Sequence, residues 1–138
     1  MKDSEYLFVY GTLMSKYGKN PFRSELAEFS SYYAEAKVKG KLYMIEDYPG
    51  LIPNEVGEEY FTFGEVFIIN DTLSLFKVLD VYEDYYQNFE KDSLYIRKKI
   101  EIFDLQNNPI GIAHAYFYNK PVELPNFIRN GCFLSKIS

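Results

Sequence analysis

The chain begins, after five mostly polar residues, with an apolar run at Tyr6-Leu7-Phe8-Val9-Tyr10 that stops at Gly11. A short unbroken apolar run closed by glycine predicts a buried strand. Turn chemistry follows in Ser15-Lys16-Tyr17-Gly18-Lys19-Asn20-Pro21, and a short helix is expected over Phe22 to Phe29, with Leu26 and Phe29 three apart. Alternation from Tyr32 to Ile45, broken at Gly40, predicts one long strand or two joined by a bulge. Asp47-Tyr48-Pro49-Gly50 reads as a turn, and Leu51 to Glu59 as irregular loop. Tyr60 to Ile69 is the clearest strand, and its central Gly64 predicts a bulge or a close backbone approach.

Asn70-Asp71-Thr72 then offers a helix N-cap. Leu75, Phe76, Leu79 and Tyr82 recur at three- and four-residue spacing, so a helix from Leu73 to Tyr82 should bury that face. Leu94 to Phe103 alternates as a strand with one wet face. Asn107-Asn108-Pro109-Ile110-Gly111 turns the chain, and Ile112 to Tyr118 returns as the second arm of a hairpin. Pro121, Pro125 and a polar end predict a surface tail over 120–138. Together these elements predict an α+β fold in a single domain over 1–138: a small, curved, mostly antiparallel, barrel-like sheet with one main and one minor flanking helix.

Composition narrows the function classes. At 138 residues and 47% hydrophobic, the chain is long enough to bury one sizeable core. A net charge of −5 argues against a broad nucleic-acid footprint. One histidine, His114, and one cysteine, Cys132, exclude an intramolecular disulfide and the usual nitrogen and sulfur metal sites. A Cys132–His114 dyad is conceivable, but nothing local to either residue supports it. No phosphate-binding glycine loop of the P-loop or dinucleotide type is present. The acidic start and short first apolar run are unlike a signal peptide or membrane span, so a cytoplasmic location is expected. The aromatic content, 14 Tyr and 12 Phe without Trp, suits strand faces and a half-wet cavity.

Two segments carry candidate chemistry. The N–H groups just past Gly11, a residue that tolerates positive φ, can converge on an anion or a developing oxyanion. The main helix ends in Leu79-Asp80-Val81-Tyr82-Glu83-Asp84, with three carboxylates in five positions. Asp80 and Glu83 are three apart and share a helical face at the negative pole of the helix dipole. Repulsion, dipole and burial would each raise a carboxyl pKa there, which suits acid–base work near neutral pH. A solvated acidic helix end is the commoner meaning of such a run. Tyr95 and Arg97 share a strand face, as do Tyr116 and Tyr118; such pairs can clamp a carboxylate or simply cross-link a sheet surface.

Taken in order, Val9-Tyr10-Gly11-Thr12-Leu13, Gly40-Lys41-Leu42-Tyr43, Tyr48-Pro49-Gly50-Leu51, Gly64-Glu65-Val66-Phe67, Leu79-Asp80-Val81-Tyr82-Glu83, Tyr95-Ile96-Arg97 and Ala115-Tyr116-Phe117-Tyr118 resemble the γ-glutamylcyclotransferase-like family, including its γ-glutamylamine cyclotransferase branch. The resemblance implies a barrel-like fold with a cavity at the end of the first strand. It implies that Glu83 is the catalytic acid–base and that Tyr10, Gly11, Thr12 and Leu13 bind a γ-glutamyl group, largely through main chain. Tyr95, Arg97 and Tyr118 are further substrate-binding candidates. The implied reaction closes a γ-glutamyl amide or amine to 5-oxoproline and frees the amine, with neither metal nor cofactor. A non-catalytic small-molecule binding module on the same fold is the alternative, and an interaction protein with an aromatic surface ranks below it. The expected partner is a small γ-glutamyl substrate, with no nucleic acid or membrane, in a monomer or weak homodimer. The chain departs from the family at Met14-Ser15-Lys16, where an arginine is often found, and in a Tyr/Asn/Asp/Glu-rich segment over 84–94 expected over or beside the cavity. That segment leaves the leaving amine open.

Overall fold

The structure, a computed structural model, describes residues 5–137. Five strands close a barrel in the order β1 (Glu5–Val9), β5 (Phe61–Ile69), β2 (Ser30–Lys39), β6 (Tyr95–Phe103) and β7 (Pro109–Tyr118). Four seams are antiparallel, and the barrel closes where β1 meets β7 in parallel. β1 is fully buried from Leu7 to Val9, as its unbroken apolar run requires. Gly64 on β5 marks a close backbone approach: a Cβ there would stand 2.1 Å from the carbonyl oxygen of Val9.

Two helices flank the barrel, α1 (Arg23–Phe29) and the main helix α2 (Thr72–Tyr82). Asp71 caps α2 by accepting the N–H of Ser74 at 3.1 Å. Leu75, Phe76 and Leu79 are buried, whereas Tyr82, expected on the same face, is 39% exposed. It stands on the helix edge, with its ring edge-on to Phe22 at 4.7 Å.

The expectations for residues 32–59 change. The stretch from Tyr32 to Ile45 divides at Gly40, and β3 (Lys41–Met44) leaves the barrel for a second sheet. The turn expected over Asp47 to Gly50 lies two residues earlier, where Ile45 N–H donates to the Tyr48 carbonyl. Pro49 and Gly50 instead open β4 (Pro49–Ile52), which pairs with β3, so Leu51 is fully buried rather than in a loop. Proline is tolerated there because it is the first residue of the strand.

The expected surface tail is the largest correction. β8 (Phe127–Ile128) completes the second sheet against β3, and a short helix, α3 (Leu134–Ile137), follows. Ile128 and Phe133 are core residues, 1% and 0% exposed. The prolines that suggested a tail lie in the connection before β8, and Pro125 sits inside a single 3-10 turn, Leu124–Asn126. Among the described residues no helix is long and apolar enough to cross a membrane.

Candidate functional site

A cavity of about 380 Å³ opens at the end of β1. Its lining brings together Phe8 from β1, Tyr10 just past its end, the Gly11-Thr12-Leu13 backbone, Tyr82 and Glu83 from the end of α2, and Tyr95 and Tyr116 from the hairpin β6–β7. Tyr17, Lys19 and Pro21 add to the wall on the loop side, and Asp47, Tyr48 and Pro49 on the β3–β4 side.

The loop after β1 is held from several directions. Met14 N–H donates to the Gly11 carbonyl at 3.1 Å, closing a tight turn. Asn20 Nδ2 donates to the Leu13 carbonyl at 2.9 Å. Thr12 Oγ1 shares a 2.8 Å hydrogen bond with Tyr82 Oη, tying the loop to α2 one residue before Glu83. With these partners assigned, the N–H groups of Gly11, Thr12 and Leu13 have no backbone acceptor among the described residues. Gly11 does not have positive φ. Its lack of a side chain serves packing instead, since a Cβ would lie 2.7 Å from Pro49 Cγ.

Glu83 owes its place to the way α2 ends. Tyr85 N–H returns to the Asp80 carbonyl at 2.9 Å and Asp84 N–H to the Val81 carbonyl at 3.1 Å. Asp84 takes the left-handed conformation, φ 56°, that this C-terminal motif requires. Glu83 is therefore the C-cap, at the negative pole of the helix dipole. Its carboxyl accepts no hydrogen bond among the described residues and lines the cavity. Burial, with the nearby Asp80 charge as a lesser cause, raises its pKa from 4.5 to about 8. Part of the side chain still meets the cavity's water, while its surroundings are dense protein.

The tyrosines around Glu83 build the wall. Tyr10 Oη donates to the Tyr116 carbonyl at 2.6 Å and accepts from Leu51 N–H at 3.2 Å. Tyr95 Oη donates to the Pro49 carbonyl at 2.6 Å. Burial pushes both phenols well above their ordinary pKa, so they stay protonated and their hydroxyls are committed to backbone.

Arg97 and Tyr118 do not line the cavity. Arg97 instead grips Asp80 through Nε at 3.0 Å and Nη2 at 3.3 Å, stacks on Phe76 and approaches His114 Nδ1 at 3.4 Å. Tyr116 Oη donates to the same Asp80 carboxylate at 2.5 Å. Asp80 and Glu83 thus diverge: one is fixed in a polar network behind the wall, the other faces the cavity. His114 Nε2 meets Glu5 at 3.1 Å, so both its nitrogens have partners other than Cys132. Tyr118 packs edge-on to Tyr95, 5.5 Å between centroids, one pleat beyond Tyr116. The segment over 84–94 lies beside the cavity, folded on itself through Ser93, and contributes only Leu94 to the wall. Sequence reasoning missed Asn20 and Glu65, which hold the loop after β1. A lone carboxylate within the apolar run of β5 was the available signal for Glu65.

Comparison with known proteins agrees with this architecture. A family model described as gamma-glutamyl cyclotransferase, AIG2-like, matches residues 7–135. An AIG2-like protein (GGACT) from Mus musculus superposes with a TM-score of 0.71 at 15% identity, covering 95% of this chain and 88% of that one. An uncharacterized protein from Pyrococcus horikoshii gives 0.62 at 16% identity, covering 97% and 93%. YkqA from Bacillus subtilis gives 0.65 at 25% identity; the match covers 99% of this chain but 44% of YkqA, so this chain spans less than half of that protein. No curated protein sequence matches the chain.

Proposed function

The chain belongs to the gamma-glutamyl cyclotransferase, AIG2-like family, and on that premise we propose that it cyclises a γ-glutamyl amide or amine to 5-oxoproline, with Glu83 as the general acid–base. The observation that carries this reading is one carboxyl, raised to about 8, in the same cavity as a backbone loop whose N–H groups have no backbone acceptor among the described residues.

The substrate's α-amine attacks its own γ-carbonyl carbon. The new C–N bond closes a five-membered ring, and the old amide C–N bond breaks. Glu83 takes one proton from the attacking nitrogen and returns it to the leaving one, so no water, metal or cofactor is consumed. The nucleophile arrives tethered, which supplies much of the rate through proximity. A carboxylate whose pKa lies near 8 is a far better base toward an amine than an ordinary one. The N–H groups of Gly11 to Leu13 steady the substrate carboxylate or the oxyanion of the tetrahedral intermediate; one such donor is worth on the order of 3 kcal/mol.

The test is a panel of γ-glutamyl compounds assayed for 5-oxoproline with the wild type and Glu83→Gln. The expected result is turnover of at least one compound and its loss in the variant, with an unchanged far-UV spectrum. Full activity in Glu83→Gln would refute the assignment. Ligand-induced thermal shifts without turnover would identify a binding module instead.

A further inference from the structure

Glu65 is a carboxylate that the proposed chemistry does not use. It lies on β5 between Gly64 and Val66 and is 1% exposed. A buried carboxylate is costly unless it is paired or fully hydrogen-bonded. The ion pairs among the described residues are Lys16–Glu35, Lys41–Glu58, Arg97–Asp80 and His114–Glu5, and none includes it. Among the described residues its hydrogen bonds come from one residue: Ser15 N–H donates to Oε1 at 2.6 Å and Ser15 Oγ to Oε2 at 2.9 Å. An apolar side chain of similar volume would fill the same space without that desolvation.

The register explains what the contact reaches. Glu65 sits opposite Val9, the last residue of β1, so it stands at the level where the chain leaves the barrel. Ser15 follows Met14, whose N–H closes the turn onto the Gly11 carbonyl. Fixing Ser15 therefore fixes the far end of the turn that carries the Gly11, Thr12 and Leu13 N–H groups. The near end is fixed by β1 and by Tyr10 Oη. Lys16 adds an exposed pair to Glu35, the residue opposite Glu65 on β2.

We propose that Glu65 is a positioning residue: from behind the cavity wall it anchors Ser15 and so holds the Gly11–Leu13 backbone donors in the arrangement the substrate needs. Neither Glu65 nor Ser15 lines the cavity, so the effect passes through the loop alone. The inference rests on the cyclisation reading for its catalytic consequence, but not for its structural one.

The experiment compares wild type with Glu65→Met, Glu65→Gln and Ser15→Ala. Methionine fills the volume but accepts nothing from Ser15. Glutamine can still accept the Ser15 N–H and donate to Oγ, without the charge. In Glu65→Met, kcat/KM should fall about 30- to 100-fold, the scale of a misplaced donor set. Its melting temperature should hold or rise, and the pH at which kcat/KM rises should not move. Glu65→Gln should recover to within about fivefold of wild type on the same scale. Ser15→Ala should be intermediate, and combining it with Glu65→Met should add little, because both remove one contact.

Amide hydrogen exchange gives a readout that needs no turnover. The Met14 amide, whose bond to the Gly11 carbonyl closes the turn, should exchange faster in Glu65→Met than in wild type. Unchanged exchange, or wild-type kcat and KM in a folded Glu65→Met, would overturn the proposal. If no γ-glutamyl compound is turned over by the wild type while exchange is faster in the variant, the cyclisation reading fails and the loop anchor stands. Should Glu65→Met not fold, Ser15→Ala carries the exchange test, with Glu65→Gln as the variant expected to exchange like wild type.

Discussion

A carboxyl that titrates near 8 must destabilise the protein at the pH where it works, and Glu83→Gln should reveal by how much. In the unfolded chain Glu83 releases its proton near 4.5, and in the folded protein near 8. Between those values the native state holds a proton that the unfolded state has lost. Stability therefore falls as pH rises through that window and is lowest above it. At about 1.4 kcal/mol per pH unit, the full interval amounts to on the order of 5 kcal/mol. Residual water at the cavity screens part of this, which leaves about 3–5 kcal/mol. Glutamine has nearly the same shape and does not titrate. The stability of Glu83→Gln relative to wild type should therefore grow by that amount between pH 5 and pH 9. For a domain with a total of about 5–15 kcal/mol this is a large fraction. Urea unfolding of both proteins at each pH unit reads it directly, because every other titrating group cancels in the difference. A difference constant within about 1 kcal/mol across the range would mean that Glu83 titrates as an ordinary exposed carboxylate. The argument for Glu83 as a base toward an amine would then fail as well.

Two further outcomes test the surroundings. Asp80→Asn removes the lesser cause of the raised Glu83 pKa and leaves burial in place, so the pH at which kcat/KM rises should drop by about half to one unit; a pH–rate profile that stays put or moves upward would show that Asp80 does not act on Glu83. Phe133→Ala removes a fully buried ring from the segment first expected to be a tail, and chemical denaturation should record a loss of about 3–5 kcal/mol; a loss below about 1 kcal/mol would mark that segment as peripheral.

The legible parts of the fold were those written in local periodicity. α2 follows from Leu75, Phe76 and Leu79 at helical spacing behind an Asp71 cap, and β1, β5, β6 and β7 from apolar runs or alternation. The illegible parts are pairings between distant segments. β4 and β8 have four and two residues, too few to carry a period, and β8 pairs with β3 some eighty positions earlier. The site divides in the same way. Strand alternation correctly puts Arg97 on the same face as Tyr95, and Tyr118 on the same face as Tyr116. It carries no information about where the cavity ends, and both residues lie beyond that edge. The i, i+3 relation of Asp80 and Glu83 holds along the chain. What separates them is the C-cap at Glu83 and the grip of Arg97 and Tyr116 on Asp80, contacts contributed by the hairpin β6–β7.

Stable folds pair buried polar groups, keep unpartnered carboxyls in water and put compact residues where backbones crowd. Around the end of β1 these rules are strained together. Among the described residues Glu83 lacks a hydrogen-bond partner in dense surroundings, Glu65 is a buried carboxyl without a cationic partner, and three successive backbone N–H groups lack backbone acceptors. Each is unfavourable alone, and the three do not stabilise one another. Met14, whose N–H closes the turn onto Gly11, also links the unpaired donors to the Ser15 that Glu65 holds, and Thr12 links them through Tyr82 to the end of α2. A fold selected only for stability would have placed water-exposed or apolar groups at these positions. Their concentration around the end of β1, connected through one loop, fits the proposed site, which has to hold an anion and move a proton.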